Sequence, residues 1–185
     1  MLTRREILQS CVVLAAGPVA LSVAAAEPER LGTPVKAFLA EARSADALAI
    51  GDLMAARGIP VQVCRRDLGP IYSRCLAPIW KADGLVAGAT GAAALFYVER
   101  LAWSHGQRLV FLGRHAPAEG HRVGGPAVMT DSFQAGARVT DWRRALVHTV
   151  LATPPGAAAL RPISAVRDAA ISGDGALFSW VLARC

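Results

Sequence analysis

Two histidines six positions apart, His115 and His121, lie in a glycine-rich stretch as Arg114-His115 and Gly120-His121-Arg122. Imidazole titrates near neutral pH, so either ring could act as a general base, with Asp67 or Glu41 to orient it. Two rings could also ligate a metal, with Glu119 or His105 as a third ligand. The spacing fits no recognised metal motif, so no metal site is assigned. Serine chemistry lacks its usual marker, because no G-x-S-x-G turn occurs. Ser44, Ser73, Ser104, Ser132 and Ser179 all stand in unremarkable settings.

A second set of residues suits an anion. Arg43, Arg65, Arg66 and Arg114 each follow a segment that reads as a strand, and Thr90-Gly91 follows another. In an open parallel sheet, ligands bind beyond the carboxyl ends of the strands. A helix opening at Gly91 would add unpaired N–H groups and the positive end of its dipole, and Thr90 a hydroxyl. The expected ligand-binding set is Arg43, Arg65, Thr90, Gly91, Arg114 and His115. The G-x-G-x-x-G spacing and the P-loop lysine are missing, so no nucleotide cofactor is indicated. Asp67, Tyr72, Arg74 and Trp80 form a third group, suited to a lid over the strand edge or, for Trp80, to packing against the sheet.

These residues need a scaffold, and the apolar pattern supplies one. Val35–Ala40 reads as a strand, Ser44-Ala45-Asp46 as a helix start, Gly58 as its stop and Ile59–Cys64 as a second strand. Gly84–Gly88 is a compact apolar run. Ala92–His105 carries Leu95, Val98 and Ala102 at helical spacing, and Arg108–Leu112 is the next strand, ended by Gly113. Residues 116–131 read as a glycine-rich loop. Trp142–Leu151 and Ser164–Ile171 read as helices, with Asp131 or Thr140 as candidate caps, and Ala176–Leu182 as a final strand. This alternation predicts a single α/β domain of three layers with a mainly parallel sheet. At the level of class it resembles Rossmann-like or flavodoxin-like architecture.

Composition narrows the partners. The formal net charge is +6, carried almost wholly by arginine, since Lys36 and Lys81 are the only lysines. The basic residues are scattered in runs no longer than two, which argues against nucleic-acid binding. Cysteines number four, at positions 11, 64, 75 and 185. Cys64 and Cys75 are close enough in sequence to bridge, closing a loop worth about 3 kcal/mol. Folding in a reducing compartment would oppose that bond. No Cys-x-x-Cys, haem-attachment or iron–sulfur spacing occurs, so no cofactor is indicated by motif.

Residues 1–26 have the character of an address. Thr3-Arg4-Arg5-Glu6-Ile7-Leu8 precedes a charge-free run from Ser10 to Ala26, which closes on Ala24-Ala25-Ala26. A basic head, an apolar middle and a small-residue exit describe a cleavable export signal. The paired arginines in this setting resemble the twin-arginine translocation signal, with Ile7 and Gln9 where the usual pattern has Phe and Lys. That resemblance implies export of a folded precursor by the twin-arginine machinery, a periplasmic location, and membrane contact only through the signal. Residues 27–185 would then form the domain. The expected function is binding of a small anionic ligand at the carboxyl edge of the sheet. The alternatives are a small hydrolase or transferase with a histidine base, or an interaction module without a pocket.

Overall fold

The computed structural model describes residues 35–117, 119–154, 156–160 and 175–185. The leader, the lead-in at 27–34 and the helix expected at Ser164–Ile171 lie outside them. Six strands form one sheet: β1 (Val35–Glu41), β2 (Val61–Cys64), β3 (Leu85–Thr90), β4 (Gln107–Ala116), β5 (Gly120–Gly124) and β6 (Leu177–Arg184). Their spatial order is β2-β1-β3-β6-β4-β5.

Each early element forms for a local reason. Ser44 caps α1 (Ala45–Ala55) by accepting the Ala47 N–H at 3.1 Å, and Gly58 turns the chain out at φ +76°. Residues 69–81 are continuously helical, as α2 (Gly69–Ile71), a π-helical turn (Tyr72–Leu76) and α3 (Ala77–Lys81). Helix α4 (Ala92–Trp103) follows β3. Next to it in space, Trp80 is 1% exposed, so the indole packs in the core and does not act as a lid. Tyr72 donates or accepts at His105 Nε2, 3.1 Å away, beside the start of β4.

The sheet is only partly parallel, which corrects the mainly parallel expectation. β1 pairs parallel with β2 and β3, whereas β6 pairs antiparallel with β3 and β4, and β5 antiparallel with β4. Strands β3 and β4 do point the same way, as the strand–helix–strand pattern requires, but β6 occupies the gap between them. The reason lies in β6 itself. Phe178, Trp180 and Leu182 pack on one face of the sheet and Leu177 and Val181 on the other. A strand apolar on both faces must be central.

The segment expected to be a loop at 116–131 is the end of β4, the hairpin strand β5 and the start of α5 (Ala127–Val139). Asp131 therefore lies inside α5, and the cap of α6 (Trp142–Leu151) is Asp141, which accepts the Arg143 N–H at 3.0 Å. Helices α5 and α6 approach closely because Gly136 has no side chain: a Cβ there would stand 2.9 Å from the Ala145 Cβ. One core cluster, with α1, α5 and α6, covers one face of the sheet, and a second, with α3 and α4, covers the other. Among the described residues no helix is long and apolar enough to cross a membrane.

Cys64, Cys75 and Cys185 are free thiols, so the Cys64–Cys75 bridge does not form. Cys64 is buried in the α3–α4 core cluster and Cys75 packs against that cluster, each as a small apolar side chain. Burial raises the Cys64 thiol pKa to about 11, with the Glu41 carboxylate adding to the shift.

Candidate functional site at the carboxyl edge

Strands β1 to β4 share a direction, so Glu41, Cys64, Thr90 and Ala116 end along one edge, where β5 and β6 begin. A bulge in β4 decides what faces inward there. The register with β6 shifts between Leu109 and Phe111, so the side-chain alternation changes phase. Leu109 packs with the α3–α4 cluster, but Phe111 packs with the α1–α5–α6 cluster. Gly113 and His115, two and four residues on from Phe111, follow it onto that face.

On this face three polar side chains meet in series. His115 Nε2 lies 2.7 Å from Ser179 Oγ, and His115 Nδ1 lies 3.0 Å from His121 Nδ1. Ser179 and His115 are buried, at 1% and 5% exposure, while His121 is exposed. Gly113 is the residue that permits the first contact, because a Cβ there would fall 2.4 Å from Ser179 Oγ and 2.9 Å from His115 Nε2. Trp142 lies over both imidazoles, with ring centroids 4.5 Å from His115 and 4.6 Å from His121, and Phe133 of α5 flanks them.

Burial lowers the His115 pKa to about 3; His121 lowers it further and Asp46 opposes the shift. Burial also lowers the His121 pKa, opposed by Asp46 and assisted by Arg143. Both rings are therefore neutral at physiological pH. Arg143 holds Asp46 at 2.6 Å and Asp141 at 2.9 Å, so the amino ends of α1 and α6 are tied together beside the histidines.

The other expected residues have different surroundings. The Gly91 N–H at the start of α4 donates to the Glu41 carboxylate, which supplies the negative charge that the helix dipole favours. Thr90 is fully buried and its Oγ1 accepts from the Trp180 indole at 3.0 Å. Arg114 pairs with Glu119 at 2.7 Å, and Asp67 closes a local turn by accepting the Gly69 N–H at 2.8 Å. Glu41 and Asp67 are thus engaged away from the histidines, and Glu119 serves two arginines, Arg114 and Arg122. His105 precedes the opposite end of β4. Among the described residues no three His, Cys, Asp or Glu side chains converge as a metal-ligand set. Arg43, Arg65 and Arg66 are exposed at the edge and form no ion pair among the described residues.

Sequence reasoning missed Ser179, Trp142 and Asp46 as parts of this cluster, and it took Gly113, beside His115, for the end of a strand that runs on to Ala116. One signal was available. Arg114-His115 and His121-Arg122 are mirror images about a short turn, and a hairpin with that symmetry sets His115 opposite His121 and Arg114 opposite Arg122. Ser179 left no such trace, because its place depends on where β6 inserts. No protein-family model matches the chain, and no curated protein or solved structure matches it significantly.

Proposed function

We propose that the carboxyl edge of the sheet binds a small anionic ligand, in a domain exported to the periplasm as a folded precursor by the twin-arginine machinery. The observation that supports ligand binding is the exposed charge of Arg43 after β1 and of Arg65 and Arg66 after β2, which forms no ion pair among the described residues. The two strand ends are adjacent, since the Ala42 N–H donates to the Cys64 carbonyl at 2.8 Å. Export rests on residues 1–26 alone. In architecture, the whole domain is read as Rossmann-like or flavodoxin-like in class, a reading that the parallel β2-β1-β3 half supports.

The test is a thermal-shift panel of phosphate, sulfate and carboxylate salts against chloride at matched ionic strength. At least one oxyanion raises the melting temperature, and Arg43→Ala with Arg65→Ala removes the effect. No stabilisation by any of these anions in the unmutated protein would overturn the reading.

The short Ser179–His115 contact favours a second reading, a small hydrolase or transferase with a histidine base. Turnover of nitrophenyl esters or phosphates that His115→Ala abolishes would support it, and activity equal in both proteins would dismiss it.

A further inference from the structure

We infer that Ser179 fixes the tautomers of both histidines, so that His121 presents a neutral Nε2–H donor to an oxyanion at the sheet edge. This inference rests on the anionic-ligand reading and adds a second contact point for an oxyanion, at the β4–β5 end of the same edge, away from Arg43 and Arg65. One buried proton sets the arrangement. Ser179 is 1% exposed, and His115 Nε2, 2.7 Å away, is the partner of its hydroxyl among the described residues. A buried hydroxyl hydrogen needs an acceptor. The hydroxyl therefore donates, and His115 Nε2 carries the lone pair. A neutral imidazole has one N–H, so that of His115 is on Nδ1.

The constraint passes from His115 to His121. His115 Nδ1–H points at His121 Nδ1, 3.0 Å away, which must then accept. The proton of neutral His121 is left on Nε2, which has no partner among the described residues and belongs to an exposed side chain. The reverse arrangement would leave the Ser179 hydrogen with no acceptor among the described residues. Gly113 is part of the device, because any side chain there would separate Ser179 from His115. Trp142, stacked on His115 and tilted against His121, packs against both rings.

The consequence is chemical. With both Nδ1 atoms committed to each other and His115 Nε2 committed to Ser179, what the pair offers outward is an N–H. That group matches an oxygen acceptor, a carboxylate, sulfate or phosphate, and it keeps its form across the pH range in which the histidines stay neutral. The charged neighbours of His121, Asp46 and Arg143 with Asp141, already neutralise one another in part.

Long-range ¹H–¹⁵N correlation spectra of the ligand-free domain at pH 7 test the tautomers directly. Two neutral rings are expected, His115 protonated on Nδ1 and His121 on Nε2. Ser179→Ala should release the lock and give mixed tautomers with the backbone spectrum otherwise preserved. A wild-type His115 protonated on Nε2, or mixed tautomers in wild type, would overturn the inference whether or not the variant folds. Sulfate titration tests the donor separately. His121→Ala should weaken sulfate about tenfold, the worth of one hydrogen bond to a charged group, and His121→Gln should restore most of it. Affinity should stay level from pH 8 to pH 7, and a steep gain over that interval would assign the contact to a histidinium instead. If sulfate fails to bind while the tautomers are as stated, the ligand reading falls and the lock stands.

Discussion

Trp180 and Thr90 join the two halves of the sheet: the indole Nε1 of β6 donates to the threonine Oγ1 of β3 at 3.0 Å, fully buried, where the parallel and antiparallel parts meet. Thr90→Val keeps the shape and leaves the indole N–H unpaired. It should cost about 1–3 kcal/mol in urea unfolding, the penalty for an orphaned buried donor, and Thr90→Ser should recover most of it. A Thr90→Val protein as stable as wild type would mean that the bond contributes nothing.

Gly88 lies under the same indole, where a Cβ would stand 2.3 Å from the ring. Gly88→Ala should destabilise by at least about 1–3 kcal/mol through overpacking and shift the tryptophan near-ultraviolet circular dichroism. An unchanged spectrum would show that the ring has room to move.

Acid should weaken the fold through His115. Its pKa is about 3 when folded, against 6.5 for the free side chain. Between these values the unfolded chain binds the proton and the folded one does not. Stability is therefore fully present above about pH 6.5 and falls as the pH drops toward 3, by up to about 1.4 kcal/mol per pH unit. His121, lowered as well, adds in the same sense. Denaturation midpoints at pH 7, 6, 5 and 4 measure the slope. His115→Gln should flatten it, and an equal slope in that variant would assign the acid sensitivity to other groups.

Glu41 caps α4 from the end of β1, by accepting the Gly91 N–H. Glu41→Gln removes the charge that faces the helix dipole and should cost about 1 kcal/mol. The comparison of wild type and variant at low and at high salt checks the cause, because the difference should shrink as salt screens the dipole.

The three described thiols should react in order of access. Cys185 is exposed, Cys75 intermediate and Cys64 buried, with its thiol pKa raised to about 11. A thiol reagent should label Cys185 first in the native protein, and Cys64 only on unfolding. Fewer than three reactive thiols at these positions in unfolded, unreduced protein would reveal a disulfide.

How much of this was legible depended on how local the cause was. Ser44 and Gly58 bracket α1 as their chemistry requires, and the strands at 35, 61, 85 and 177 follow from short apolar runs. Gly113 misled, because a glycine after an apolar run marks a strand end as readily as a close approach inside a strand. The difference is visible only once Ser179 stands opposite. The direction and slot of β6 were not legible either, since periodicity states that a strand is buried and not which neighbours bury it. The β4 bulge, which turns His115 toward α6, is a single-residue shift in register with no compositional mark.

The central place of β6 has a kinetic consequence. The chain reaches β6 only after both of its neighbours, β3 and β4, have been made, and the two partial sheets β2-β1-β3 and β4-β5 have no strand pairing with each other until β6 enters. Closure of the sheet is thus a late, long-range event, of the kind that slows folding and leaves strand edges open in the meantime. Ser179 arrives on that strand, so the histidine pair acquires its fixed arrangement only at closure, and the assembled cluster reports that folding is complete.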